Sequence, residues 1–218
     1  MHKIAEGLYV LPSFPSFAIN TYLMEDVLID AATKWDALRI ARQLRGRPVN
    51  LLALTHVHPD HQGAASKLCQ SMNLPLACHA DDQQIMEGRK PMLPRSWMIK
   101  LQEKTWMGRP HPVSKVLKTG DELAGFKVIH APGHTSGSVI FFREKDGVAV
   151  AGDVMSNLNP FTLRPGLHEM PDEYTVHRSQ SRESIRLLAS LDPAVVCFGH
   201  GKPVTDRAAL KRFAQALP

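Results

Sequence analysis

The stretch that decides the fold of this 218-residue chain is LLALTHVHPDH, at residues 51–61. An apolar run here ends in three imidazoles and a carboxylate within six residues. His56 and His58 are two positions apart, so an extended backbone sends both side chains to the same side. Asp60 and His61 open the helix that should follow. The stretch therefore predicts a strand-to-helix corner that presents four metal-binding side chains together.

Three later apolar runs, at about 126–134, 147–153 and 194–201, also lead into potential metal ligands. Since strand ends meet at sheet edges, we expect these donors to lie near the first four. Imidazole and carboxylate groups suit zinc or iron. A single histidine at the end of an apolar run is usually structural, but seven donors in four such places indicate a metal centre. The later donors are His134, Asp153 and His200.

This order of ligands, H-x-H-x-D-H followed by His, Asp and His, resembles the metallo-β-lactamase-fold hydrolases. The resemblance covers most of the chain, from about Gly7 to about Pro203. It implies a fold of the α/β (α+β) class, an αββα sandwich with the metal site along one edge. We expect one domain over residues 1–218, because a chain of this length with 44% hydrophobic residues can bury an ample core.

The resemblance also implies which donor binds which ion. It places two metal ions in each chain, most simply two Zn²⁺, with iron and manganese as the alternatives. One triad binds the first ion, another binds the second, and one carboxylate bridges them. The implied ligands are His56, His58 and His134 for the first ion, Asp60, His61 and His200 for the second, and Asp153 as the bridge.

Two such ions would lower the pKa of a bridging water toward about 7, so that hydroxide is available at neutral pH. We expect this hydroxide to attack the carbonyl of a small ester-like, lactone-like or thioester substrate. Asp60 is the candidate catalytic residue that orients the hydroxide and relays its proton. The sequence thus predicts a zinc-dependent hydrolase of a small molecule.

Other functions stay open at this point. Persulfide dioxygenases of the superfamily bind one iron through the equivalents of His56, His134 and Asp153. β-Lactamase-like amide hydrolysis and phosphodiesterase activity are further alternatives, and a protein without enzymatic activity is a third class. The acyl-homoserine lactonases usually have Tyr where this chain has Ser156, and the bridging residue is not the cysteine of some β-lactamases. No single subfamily matches.

The segment at about 81–112 is rich in methionine and tryptophan, and it contains Leu93, Trp97 and Leu101 at helical spacing. This stripe either packs a helix onto the sandwich or belongs to a helical cap that forms a substrate wall or a dimer contact. Trp97 is one candidate substrate contact. Phe161 and Arg164, in the polar loop after the bridging Asp, are the others.

Composition and charge indicate which partners and which compartment to expect. The net charge of +5 comes from dispersed basic residues, so we expect no nucleic-acid partner. The sequence contains no run of 18 or more apolar residues, which a membrane-spanning helix would need, and its first residues lack the apolar core of a signal peptide. Three widely separated cysteines fit a reducing compartment. These features predict a cytoplasmic enzyme and indicate no particular oligomeric state.

Several elements can be predicted around the motifs. Apolar alternation indicates a strand over 18–24, and a helix should run from about Lys34 to Arg45. We expect a long loop from Ser156 to about Pro171, followed by a helix from about Asp172 to Leu191. Asp30 ends a strand near the first ligands, so it either orients a ligand or caps a turn.

Overall fold

The computed structural model describes all 218 residues and contains two main β-sheets. The first sheet uses seven strands in chain order, with antiparallel pairing from the first to the fourth and parallel pairing from the fourth to the seventh. Its strands are β1 (His2–Ala5), β2 (Leu8–Val10), β3 (Tyr22–Met24), β4 (Val27–Ile29), β5 (Leu51–Ala53), β6 (Leu76–His79) and β7 (Lys115–Leu117).

The second sheet has five strands in the order β14-β11-β10-β9-β8, and only β11 and β14 run parallel. A separate two-stranded sheet pairs β12 with β13. These strands are β8 (Glu122–Leu123), β9 (Phe126–His130), β10 (Val139–Arg143), β11 (Val148–Gly152), β12 (Ser156–Leu158), β13 (Pro165–His168) and β14 (Val195–Phe198).

Seven α-helices cover the outer faces of the sheets or connect their strands. One short 3-10 turn, Asp172–Tyr174, precedes the sixth helix. The helices are α1 (Ala37–Gln43), α2 (Pro59–Gln62), α3 (Ala65–Met72), α4 (Ala80–Met86), α5 (Trp97–Thr105), α6 (Arg178–Ser190) and α7 (Arg207–Ala216).

Three separate apolar clusters show how these layers pack. One lies between the first sheet and helices such as α1 and α3, one between the two sheets, and one between the second sheet and the pair α6 and α7. Strand β10 contributes to two of these clusters. Val139 and Phe141 pack between the two sheets, while Ile140 and Phe142 pack against the side that α6 and α7 cover. A strand covered on both faces reads as a continuous apolar run. The predicted αββα sandwich in a single domain is confirmed.

Four predicted elements differ in extent. The strand expected over 18–24 is paired only from Tyr22, and the first helix is shorter than Lys34 to Arg45 at both ends. The expected loop from Ser156 to Pro171 instead forms the β12–β13 hairpin. The helix expected from Asp172 is interrupted at 175–177, where a 3-10 turn ends before α6 begins. Local sequence patterns locate elements better than their ends.

The apolar stripe in the segment 81–112 does not pack onto the sandwich, so that interpretation is wrong. Trp97 is 68% exposed and Leu101 is 52% exposed, while Leu93 precedes α5 and is 40% exposed. Helix α5 turns Ile99 toward the core instead. The stripe is thus an outward-facing apolar surface, and its role as a cap stays a prediction. No helix in the chain is both long and apolar enough to cross a membrane.

Candidate metal centre

All seven predicted ligands are buried and lie at one edge of the sandwich. The corner after β5 presents the first two histidines, and α2 contributes the next two donors. The loops that follow β9, β11 and β14 bring the other three to the same place. In the order of these elements, the ligands are His56 and His58, Asp60 and His61, and then His134, Asp153 and His200.

Three histidines, His56, His58 and His134, form what we call the imidazole cluster. His134 Nε2 lies 2.9 Å from His58 Nδ1 and 3.2 Å from His56 Nε2. Burial, and then the neighbouring histidines, hold the pKa of His56 and of His134 well below the usual value. Burial also lowers the pKa of His58. Neutral imidazoles offer lone pairs, so this cluster is suited to bind a cation.

The second group, Asp60, His61 and His200, is called the carboxylate cluster. His200 Nε2 lies 3.3 Å from Asp60 Oδ2 and 3.1 Å from Asp153 Oδ2. Although burial opposes charge, Asp153 and Asp30 raise the pKa of His61 to about 10. Burial likewise opposes the charge of Asp60, but the hydrogen bond from His200 and the charge of His61 lower its pKa to about 2.

Asp153 lies between the two clusters. Its Oδ2 is 3.7 Å from His134 Nε2, 3.5 Å from His61 Nε2 and 3.1 Å from His200 Nε2. Gly199 makes room for this carboxylate, because a Cβ at that position would lie 2.0 Å from Asp153 Oδ1. Asp153 therefore occupies the position from which one carboxylate can serve both groups of donors.

The donor set fits metal ions. His61 Nε2 and Asp153 Oδ1 are buried and have no hydrogen-bond partner. Leaving such atoms unpaired is costly, and a cation placed between the clusters would satisfy both. Imidazole nitrogen and carboxylate oxygen are ligands for zinc and for iron. The fold thus carries His and Asp clusters suited to metal binding.

The outward nitrogens of three of these histidines are also held. His58 Nε2 donates to the Leu93 carbonyl at 2.8 Å, which leaves Nδ1 as the lone pair that faces His134. His61 Nδ1 lies 2.8 Å from Asp30 Oδ2, and His200 Nδ1 donates to the Ala18 carbonyl. Such contacts fix the tautomer and the direction of a metal-binding histidine. Asp30 therefore orients a ligand, one of the two roles that the sequence allowed.

A third group, His79, Asp81 and His130, brings three donors together outside this centre. The two imidazole rings are stacked 4.0 Å apart with planes only 12° from parallel. Lone pairs lie in the ring planes, so those of stacked rings do not point at a common ion. His130 Nε2 also donates to the Ser136 carbonyl at 2.8 Å. This group is a stacked histidine pair, in keeping with the absence of both histidines from the ligand series.

A cavity of about 390 Å³ opens above the donors. Trp106 lines it, whereas Trp97 does not, although both belong to the methionine- and tryptophan-rich segment. Phe161 stacks on Tyr174, a lining residue, with ring centroids 6.2 Å apart. Arg164 is absent from the wall, and its neighbour Leu163 is present. The remaining apolar lining comes chiefly from Phe14, Pro15, Ala18, Ile19, Ala32, Leu158, Pro160 and Met170.

Three wall residues, Trp106, Tyr174 and Gln102, were not predicted from the sequence, although Trp106 lies within the methionine- and tryptophan-rich segment 81–112. Gln102 Nε2 lies 3.4 Å from the Tyr174 hydroxyl, so α5 and the 3-10 turn meet at the cavity. The two residues are 72 positions apart in the sequence, so no local sequence pattern predicts their contact.

Comparison with known proteins agrees with this architecture. Residues 15–200 match the family model described as the metallo-beta-lactamase superfamily. The chain belongs to this superfamily, a group of metal-binding hydrolases.

Relatives and solved structures show the same likeness. The chain is 26% identical to the "Probable metallo-hydrolase YflN" of Bacillus subtilis, over 83% of this chain and 77% of that protein. It is 27% identical to the "Hydroxyacylglutathione hydrolase GloC" of Haemophilus influenzae, over 78% of each. The crystal structure of TTHA1623 in a di-iron-bound form superposes with a TM-score of 0.72 and 29% identity, over 96% of this chain and 98% of that one.

Proposed function

We propose that the protein hydrolyses an ester, lactone or thioester carbonyl of a small, largely apolar substrate with the help of two bound metal ions. The observation that carries this proposal is the convergence of seven buried donors beside a cavity of about 390 Å³. The relative named hydroxyacylglutathione hydrolase supports thioesters as one substrate class.

Metal ions bound here would supply Lewis acidity, which lowers the pKa of water and polarises a carbonyl. The first ion would be held by His56, His58 and His134, and the second by Asp60, His61 and His200, with Asp153 between them. Asp60 lines the cavity and, with a pKa of about 2, is ionised at neutral pH. Its carboxylate is therefore a hydrogen-bond acceptor that can orient an attacking water. A water acidified by bound metal would be able to pass its proton to this carboxylate.

The cavity wall determines what else the substrate meets. Tyr174 lines the cavity, and burial, followed by the charges of Asp60 and Glu173, raises the pKa of its hydroxyl to about 12. The hydroxyl therefore keeps its proton at neutral pH and can donate a hydrogen bond to a polar group of the substrate. Most of the remaining wall is apolar, which favours a substrate with an acyl or alkyl portion.

Neither Cys197 nor Ser138 is suited to act as the nucleophile in place of water. Burial raises the pKa of the Cys197 thiol to about 12, so it stays protonated. The Ser138 hydroxyl is buried and lies 2.9 Å from Thr135 Oγ1, where it holds a loop. A Cys197→Ala variant should turn over substrate within about tenfold of the wild type, measured as kcat. A covalent acyl-enzyme trapped on Cys197 would contradict the mechanism.

For the native metal we propose zinc, with iron as the alternative because a similar solved structure is in a di-iron-bound form. The deciding experiment measures the metal content of purified protein and assays lactones, thioesters, β-lactams and phosphodiesters. We expect two ions per chain and turnover of a lactone or thioester that chelation abolishes. Full activity after exhaustive chelation would overturn the proposal, and a single iron with oxygen consumption on a persulfide would replace it with a dioxygenase.

Substrate contact is tested by a matched pair of variants. Trp106→Ala should raise KM for long acyl substrates more than for short ones, since each buried methylene contributes about 0.8 kcal/mol. Trp97→Ala changes the same residue type at a position outside the wall and should leave KM within about twofold. If Trp97→Ala raised KM for long substrates and Trp106→Ala did not, the prediction from sequence that Trp97 contacts the substrate would be favoured.

A further inference from the structure

Asp82 is a fully buried carboxylate near the start of α4, outside the seven donors. It accepts three hydrogen bonds, from the Val57 amide at 2.9 Å, the Thr135 hydroxyl at 2.9 Å and the Gly137 amide at 3.0 Å. None of these donors belongs to its own helix. A buried carboxylate with three long-range partners holds separate parts of the chain together.

The parts that Asp82 holds are the two that carry the imidazole cluster. Val57 lies between His56 and His58, and Thr135 directly follows His134. One side chain therefore binds both peptide segments whose histidines must converge, although His58 and His134 are 76 positions apart in sequence.

The loop after His134 is shaped to receive this carboxylate. A Cβ at Gly137 would lie 2.5 Å from Asp82 Cγ, so only glycine lets the amide come this close. Thr135 is held in turn by Ser138, whose Oγ lies 3.1 Å from the Thr135 amide and 2.9 Å from its hydroxyl. This packing fixes the Thr135 hydroxyl and the Gly137 amide in the positions from which both donate to Asp82.

Resting on the ligand assignment of the proposed function, we infer that Asp82 is a positioning residue that sets the spacing of the imidazole cluster and so the affinity of its metal ion. The carboxylate cluster has a different support, because Asp30 contacts His61 directly. Loss of Asp82 should therefore weaken one metal site and spare the other.

Asp82→Asn is the informative variant. It preserves the volume of the side chain but replaces one acceptor oxygen with an NH₂ group, which is a donor. At least one of the three groups that donate to Asp82 would then face another donor instead of an acceptor. Outer contacts of this kind typically change metal affinity by about tenfold to a hundredfold. The matched control is Asp81→Asn, the preceding residue of the same helix, whose side chain is 53% exposed and touches neither ligand segment.

The experiment measures Zn²⁺ affinity by competition with a chromogenic chelator in two backgrounds. With His61→Ala, which disables the carboxylate cluster, Asp82→Asn should weaken the remaining ion by about tenfold to a hundredfold. With His58→Ala, which disables the imidazole cluster, the same substitution should leave the remaining affinity within about twofold. Asp81→Asn should leave affinity unchanged in both backgrounds.

The visible spectrum of Co²⁺-loaded protein supplies a second readout, because it reports ligand geometry at the ion rather than stability. Asp82→Asn should change it in the His61→Ala background only. Equal weakening in both backgrounds, or a lowered melting temperature with unchanged affinity and spectrum, would overturn the inference. A wild type that binds no metal would instead overturn the proposed function.

A variant that fails to fold does not end the test. Thr135→Val removes one of the three hydrogen bonds at nearly constant volume, and it should weaken the same ion in the same direction by a smaller factor. Unchanged affinity in Thr135→Val, together with an unfolded Asp82→Asn, would assign Asp82 to stability alone.

Discussion

The two donor clusters are built from similar residues but hold charge in opposite ways. In the imidazole cluster, burial and mutual repulsion lower the pKa values of His56 and His134, so these rings stay neutral. In the carboxylate cluster, Asp153 and its neighbours raise the pKa values of His61 and His200 against the effect of burial, so these rings carry protons. One cluster is thus a set of neutral imidazoles, and the other is a set of ion pairs between histidine and carboxylate.

This difference shows that equal ligand counts do not give equal sites. An ion entering the imidazole cluster meets donors that are ready to bind. An ion entering the carboxylate cluster must displace protons from His61 and His200. The positive charge of the ion then replaces the positive charge of these two rings, which the neighbouring carboxylates already balance. We expect the imidazole cluster to fill first as metal is added near neutral pH.

The largest effect should come from Asp153→Asn, since this carboxylate serves both clusters. A neutral amide bridges two cations poorly, so both ions should bind more weakly and kcat/KM should fall by about a thousandfold, or about 4 kcal/mol. Metal content after dialysis and steady-state kinetics measure this. If only one ion were lost, Asp153 would belong to a single cluster.

Substitutions within one cluster should separate the two sites. His58→Ala should mainly empty the imidazole cluster and His61→Ala the carboxylate cluster, each leaving about one ion per chain. Metal content by mass spectrometry, with calorimetric titration of zinc into chelated protein, distinguishes these outcomes. Loss of the same ion in both variants would show that the assignment of triads is wrong.

Asp60→Asn should reduce kcat by about a hundredfold to ten-thousandfold, because the amide cannot accept a proton. The metal content should fall less than in His61→Ala if proton transfer is the main role of Asp60. A parallel loss of ion and activity would instead make Asp60 chiefly a ligand. Metal content and kcat measured on the same samples separate the two cases.

The smallest effects concern pH and the stability of the metal-free protein. His61, with its pKa raised from 6.5 to about 10, contributes stability that is present below about pH 6.5 and lost as the pH rises through about 10. His56, with a lowered pKa, acts in the opposite direction and costs stability as the pH falls below about 6.5. The two clusters should therefore limit the apo protein at opposite ends of the pH range.

Urea unfolding of chelated wild type, His61→Asn and His56→Asn across this range measures both slopes. The stability gap between wild type and His61→Asn should narrow toward high pH. The gap between wild type and His56→Asn should narrow toward low pH. Gaps with the same pH slope in both variants would mean that the clusters do not differ in charge.

The fold and the seven donors could be predicted because their signals are local. A histidine pair two residues apart on a strand end, or an Asp beside Gly152, shows in a short window of sequence. That these ligands come together in space was predictable from the rule that strand ends meet at sheet edges and from the resemblance to a known family.

The wall and the supporting carboxylate could not be predicted in this way. Asp82 reads as an ordinary acidic residue at the start of a helix, and its partners lie 25 and 53–55 residues away. Trp97 and Trp106 are equivalent in composition, but the end of α5 at Thr105 places only Trp106 at the cavity. Such choices depend on tertiary packing, which a residue pattern does not encode.

The hydrogen bond from His58 to Leu93 uses a backbone carbonyl, not a side chain. Every residue type at position 93 has this carbonyl, so the side chain there does not set the tautomer of His58. An insertion or deletion between α4 and α5 would instead move the carbonyl away. Among relatives that share this contact, the length of that connection should vary less than its composition.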